Sequence, residues 1–375
     1  MSKKLRLSGH DYRSHRVAKV SAGLVALLWG MPLGGAIYSH GEPTDAEQYL
    51  LELVNRGRAD PGAEVARVGV DLNQGLPPGT INNIPKPPLA FNAKLLDSAR
   101  SHSDWMLEVD IFDHTGRNGS KPDGRMKAAG YPFSGNWGWG EKIGWRGTSG
   151  ILNLNSSVAK AHDGLVISPP HRENLMNGSF DEVGLGVRTG LFKSGATLNA
   201  VMITENFAYS DGTPGPCLLG VVYRDANGNH AYDPGEGVSG VTVTYSGSVN
   251  QAITSTSGGY AFPYLGQGPL TVQFSGGGIA SGSLAVTRTG KNVKADWLAV
   301  GTAPVEPLTL SGVSWSATTG WQGTLRGSAT GAVVLQQSSN LTQWVLWKTV
   351  QKSAPEVLIQ EVFPAAGAYF YRVQP

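Results

Sequence analysis

Three side chains in the first half of the chain have the chemistry of a site. They are His114 in "IFDHTGRNGSKPDGRM", Glu141 in "NWGWGEKIGW" and His171 in "ISPPHRENLM". Imidazole titrates near neutral pH and coordinates cations through either ring nitrogen. Two imidazoles and a carboxylate can hold zinc or another divalent cation, or run general acid–base chemistry. Pro169 and Pro170 restrict the backbone before His171. Trp137, Trp139, Trp145 and several glycines surround Glu141, and a Gly-rich turn follows His114. The three are far apart in sequence, so spacing leaves two readings open: one convergent site, or three loop residues with local hydrogen bonds. His102 reads as a helix-surface or core-edge residue, and His162 as part of the helix before the Ser-Pro-Pro turn. Arg172 and Asn174 read as ties that hold the His171 loop through backbone carbonyls.

The elements that must position these residues are legible in outline. "TDAEQYLLELVNRGRADP" begins with Thr44 and Glu47 at capping-box spacing. Tyr49, Leu50, Leu53 and Val54 recur on one helical face, and Asp60-Pro61 ends the helix. "NAKLLDSARSHSDWMLEVD" repeats the pattern with Asn92 as its cap. "VGLGVRTG" and "TLNAVMITENFAY" predict two strands of a hairpin. Helices before and between strands predict a layered α/β structure.

Five segments, in this order, resemble the bacterial form of the CAP superfamily, also called SCP or pathogenesis-related-1-like. They are "PPLAFNAKLLDSARSHSDWM", "FDHTGRNGSKPDGRMKAAGY", "GEKIG", "SPPHRENLMNGSFDEVGLGV" and "ITENFA". The resemblance covers residues 44–209. It implies an α-β-α sandwich with a surface cleft holding two histidines and acidic residues, where some members bind a divalent cation. By motif the cleft residues are His114, Glu141 and His171. Two departures stand out: Lys142 replaces the Asn of Glu-Asn-Ile, and the second glutamate of animal and plant members falls near Ser168, with Leu165 at the preceding Trp position. The set is thereby reduced, and any cation affinity is expected to be modest. Glu141 either ligates directly or orients one imidazole.

Beyond this region the chain becomes β-like. "SDGTPGPC", 210–217, reads as a linker, residues 218–300 as one small all-β sandwich, "GTAPVEP", 301–307, as a second linker, and 308–375 as another small all-β sandwich. "DANGNHAYDPGE" places Asp225, Asn227, Asn229, Asp233 and Glu236 at loop positions 1, 3, 5, 9 and 12, a spacing that wraps a chain around Ca²⁺. His230 stands at the usual glycine position, and strands flank the loop instead of EF-hand helices. The stretch resembles the prealbumin-like, calcium-binding B-type repeats of bacterial surface adhesins, with "TSTSGGYAFPYLGQGPLTVQF" carrying that likeness. A metal-free polar turn is the alternative. Trp344 and Trp347 in the last module read as packing residues.

The first 36 residues read as an export signal: six basic residues and one acidic residue, then "VSAGLVALLWGMPLGGA", with cleavage expected near Ile37. Its removal takes the formal net charge from +2 to −3. No basic patch then argues for nucleic acid, and no span remains to hold a membrane. Cys217 is the only cysteine, so no internal disulfide forms. These features predict a secreted, modular protein whose cleft binds a divalent cation and an extracellular peptide, glycan or lipid. A metal- or His-assisted hydrolase is the alternative reading, although no nucleophile motif is present.

Overall fold

The Thr44 side chain accepts from Glu47 N while the Glu47 carboxylate accepts from Thr44 N, so a full capping box starts helix α1 (Asp45–Ala59). Asp60 ends it and caps α2 (Pro61–Arg67). Asn92 caps α3 (Ala93–Val109), followed by α4 (Pro122–Ala128), α5 (Leu154–Ile167) and α6 (Pro169–Leu175). The computed structural model describes residues 36–299, 308–316, 320–327, 331–338, 342–352, 356–361 and 370–373. Residues 1–35 of the expected export signal and the expected linker at 301–307 lie outside the described residues.

A short strand, β1 (Ile37–Tyr38), precedes α1. The α/β region is built on β2 (Ala90–Phe91), β3 (Trp137–Thr148), β4 (Glu182–Ser194) and β5 (Ala196–Ser210), in the order β2-β4-β5-β3. β4 and β5 form the predicted hairpin. Residues 200–208 of β5 are all buried, which requires cover on both faces of the sheet. Side chains alternate along a strand, so Val201, Ile203 and Phe207 join the cluster with α1 and α5, whereas Met202 joins Met106 of α3 on the other face. Gly184 and Gly186 permit the α3 contact, since a Cβ there would fall 2.0 Å from Leu95 C and 2.4 Å from Ala99 C. The result is a helix–sheet–helix sandwich.

Eight strands follow: β6 (Cys217–Tyr223), β7 (Val241–Tyr245), β8 (Gln251–Ile253), β9 (Gly259–Pro263), β10 (Gly268–Gly276), β11 (Gly282–Arg288), β12 (Val293–Lys294) and β13 (Trp297–Leu298). One sheet has the order β1-β8-β7-β10-β11; the other centres on β6, paired with β12, β13 and β9. Tyr260, Phe262, Phe274 and Val243 fill the space between them. The strand β1 therefore pairs, in parallel, with a strand more than two hundred residues away, Ile37 opposite Gln251. The segment at 210–217 is short and tied down, with Thr213 Oγ1 donating to Ser210 O at 3.0 Å. Burial pushes the Cys217 thiol up to about 12, so it stays protonated and a poor nucleophile.

The last described region forms two three-stranded sheets, 309–316 with 320–326 and 356–361, and 345–352 with 331–338 and 370–373. Trp321 lies at their core with Trp347 at its edge, 4.7 Å between ring centroids. Trp344 instead carries the Arg372 guanidinium 4.2 Å above its ring. Among the described residues, no helix is long and apolar enough to cross a membrane.

Candidate functional site

The sheet ends in β3, an edge strand, and the three histidine-site segments meet along it. Glu141, in β3, is 1% exposed, and both of its oxygens are taken. His114 Nδ1 donates to Oε1 at 2.9 Å, and Arg125 Nη2 donates to Oε2 at 2.6 Å. Asn206, opposite Glu141 in β5, donates to Oε2 at 3.1 Å in the amide orientation that satisfies both of its ends. Arg125 also donates to the His114 and Ser120 carbonyls, which fixes the loop carrying the imidazole. The carboxylate thus selects the tautomer of the neutral imidazole, the one with the proton on Nδ1 and the lone pair on Nε2. The His114 side chain is 48% exposed, and its Nε2 has no hydrogen-bond partner among the described residues.

His171 arrives from the opposite layer. Sequence reading placed it in a loop; it lies instead in the first turn of α6, with Pro169 and Pro170 at the first two helical positions. Proline suits that place because the N–H it lacks would have no helical partner there. Asn174, one turn later on the same face, packs against β3 where Gly140 has no side chain. A Cβ on Gly140 would meet Asn174 Oδ1 at 2.3 Å. Arg172 is buried and donates to Leu72 O, Val166 O, Ile167 O and Gln74 O, the carbonyl ties expected of it. His171 lies within electrostatic reach of Lys142, Glu205 and His114. Burial lowers its pKa, the Lys142 charge lowers it further, and Glu205 opposes both.

Beneath His171 is a feature the sequence did not announce. Lys142 and Glu205 face each other across β3 and β5, fully buried, with Nζ 2.7 Å from Oε2 and 4.8 Å from the centre of the Phe207 ring. Burial lowers the Lys142 pKa, and Glu205 counters it. Strands alternate faces, so Glu141 serves the His114 side and Lys142 the His171 side of the same edge. Charges in both "EKIGW" and "MITENF", otherwise core-like strands, were the available signal. Register decides whether they pair.

The other candidates separate from the cleft to different degrees. His102 is buried rather than at a helix surface, with Nε2 3.0 Å from Asp113 O and its ring stacked on Trp105. Burial, then the Arg125 charge, pushes its pKa down to about 4. His162 is buried against Glu64, 3.0 Å away, which Arg56 and Arg67 also hold. In the loop at 225–236, Asp225 accepts from the backbone N–H groups of Gly228, Asn229 and His230. The Asn227 and Asn229 amides both donate to Asp233 Oδ2 at 2.7 Å, and Glu236 accepts from Ala226 N and Asp233 N. His230, at the usual glycine position, has φ 61°. All five side chains of the expected calcium set therefore belong to one hydrogen-bonded loop.

No three His, Cys, Asp or Glu side chains among the described residues group closely enough to hold a metal ion. In the cleft the Glu141 carboxylate is occupied by His114 and Arg125, so imidazole nitrogen is the donor type left open there. What the arrangement offers directly is a carboxylate-oriented imidazole at an open edge.

Residues 51–199 match the model of the CAP family, described as the cysteine-rich secretory protein family. This stretch is a CAP domain. No curated protein matches the chain. Among solved structures, the chain is similar to an extracellular protein containing a SCP domain from Bacillus anthracis str. Ames, at 24% identity over 32% of this chain and 34% of that one, TM-score 0.25. It is also similar to an outer surface protein of Borrelia burgdorferi, at 21% identity over 32% of this chain and 76% of that one, TM-score 0.23. The match spans about a third of the length of the Bacillus protein. Likenesses of this degree say nothing of activity. The cleft lies mainly in the matched stretch, but Glu205 and Asn206 of the CAP-domain sheet fall beyond it.

Proposed function

We propose that the protein acts outside the cell, its CAP-domain cleft binding a peptide, glycan or lipid through His114 and His171. A divalent cation such as zinc is part of this reading. The two imidazoles would hold it, and water or ligand would complete the set, so its affinity is modest. The cation would supply a Lewis acid that polarises a bound oxygen. Glu141 is the orienting partner of His114 rather than a ligand. The observation that carries the reading is the buried Glu141 carboxylate fixing His114 Nδ1 while Nε2 stays open. The basic, then apolar N-terminal sequence supports export. The β-rich region at 218–300 is read as a prealbumin-like module whose loop at Asp225–Glu236 takes Ca²⁺.

One observation favours a hydrolase as the second reading. A carboxylate-bound imidazole is also the arrangement of a general base, in which His114 Nε2 would take a proton from the water attacking a peptide or ester carbonyl. Glu141→Gln separates the two. For the binding site it lowers zinc affinity about 10–100-fold in calorimetric titration, because His114 loses its orienting partner. For the hydrolase it abolishes peptide or ester turnover and spares zinc affinity. A folded Glu141→Gln protein with unchanged zinc affinity and no turnover to lose contradicts the role given to Glu141.

A further inference from the structure

A cavity of about 370 Å³ lies away from the histidine cleft, where the CAP domain meets the β-rich region. Asn136, Ser179, Asp181, Tyr209 and Asp211 line it from the CAP side, and Lys291, between β11 and β12, closes it from the other. Neither part of the chain forms it alone. Its walls are held together by Asn292, next to Lys291. The Asn292 amide donates to Pro88 O and Asp181 O at 3.0 and 2.6 Å, and its oxygen accepts from Cys217 N at 2.7 Å. The volume is that of a small-molecule site, and the fixed walls lower the ordering cost of binding.

The lining specifies the chemistry. No Leu, Ile, Val, Ala or Met contributes, which removes the apolar contact a lipid chain needs. Two carboxylates and one ammonium line it, and Arg58 acts on Asp181 from behind, so the lining holds no excess positive charge to attract an anion. Asp181 Oδ1 is shielded from solvent without a hydrogen-bond donor, its nearest cation being Lys291 Nζ at 3.8 Å. Burial raises the Asp181 pKa accordingly. Asn136 and Ser179 are exposed and Tyr209 is half-buried, so the amide and both hydroxyls are open to a ligand. A buried acceptor without a donor is costly, and a ligand supplying hydroxyl groups would relieve that cost. Acceptors, a donor ammonium and two-way groups around one small space match the vicinal hydroxyls of a sugar, each of which both donates and accepts.

We propose that this seam pocket binds a neutral saccharide, independently of the histidine cleft. The test is saturation-transfer NMR on the full chain with glucose, N-acetylglucosamine and glucuronate as probes. The expected result is transfer to one or both neutral sugars, at least fivefold weaker transfer to glucuronate, and at least fivefold loss in Tyr209→Phe and in Asn136→Ala. Tyr209→Phe keeps the ring and its packing, and Asn136 is exposed, so both variants are suited to retain the fold. His114→Ala/His171→Ala is expected to bind these sugars as the wild type does. Failure of the histidine site thus leaves this proposal standing, and the reverse holds equally. Absence of transfer to both neutral sugars, preference for glucuronate, or undiminished binding in both pocket variants overturns it.

Discussion

At the scale of single residues, the cleft is governed by what each charge is already bound to. Glu141 is shared by His114, Arg125 and Asn206, so its charge is spent before any ligand arrives. Lys142 and Glu205 compensate each other without solvent. Removing one partner of such a pair strands the other charge in the core, whereas removing both does not. Lys142→Met is therefore expected to destabilise the fold by about 3–5 kcal/mol, and Lys142→Met/Glu205→Met to recover most of that loss, read from urea midpoints. Equal stability of the single variant and the wild protein would contradict the pairing. The contact of His114 with Glu141 was within reach of the sequence, because motif fixes the local setting of each residue. Arg125 and Asn206 stood unremarked inside quoted motifs, because their role depends on which strand lies opposite Glu141. The mutual placement of Lys142 and Glu205 depends on a β3–β5 register that no local pattern states.

At the scale of elements, α6 is the part that has to be held. Seven residues make too short a helix to be stable alone, and its position comes from contacts at both ends. Arg172 gives it four backbone acceptors, and Asn174 seats it on Gly140. A lysine cannot present the same planar fork, so Arg172→Lys is not a conservative change. It should cost about 3 kcal/mol from charged hydrogen bonds lost in a buried place, visible as a lower urea midpoint at unchanged slope. It should also shift the His171 ring signals in NMR. Unaltered His171 signals would mean that α6 is positioned by other contacts. The helices α1 and α3 were readable from their caps and apolar faces. The first turn of α6 was harder to place, because two prolines before a histidine suit a loop as well as a helix start.

At the scale of the whole molecule, the CAP domain and the β-rich region that follows share a continuous seam. β1 adds to the sheet of the second region, and Lys294 of β12 binds Glu52 of α1 at 2.8 Å. His40, 5% exposed, lies in this seam, stacked on Phe91 with its Nε2 unpartnered and close to Gly259. Burial alone pushes its pKa down to about 4 from an ordinary 6.5. The unfolded chain therefore binds the proton first, and the stability attached to neutral His40 is complete above pH 6.5 and lost as pH falls through 4. Across that window the loss approaches about 3 kcal/mol, and His40→Gln should show a correspondingly shallower fall in melting temperature between pH 6.5 and 4. Identical pH profiles would contradict a neutral buried imidazole. Alternating patterns announced the β-rich character of this half. They could not announce the seam, because a two-residue strand pairing across more than two hundred residues leaves no periodic trace.

The central claim is that His114 and His171 act together at one edge of the CAP-domain sheet. Calorimetric titration of Zn²⁺ into the full chain, beside the His114→Ala/His171→Ala variant, tests it most directly. The account predicts specific one-site binding by the wild protein and its loss in the variant. Equal binding by both, or none by either, would contradict it and return His171 to the role of a scaffold residue at the start of a short helix.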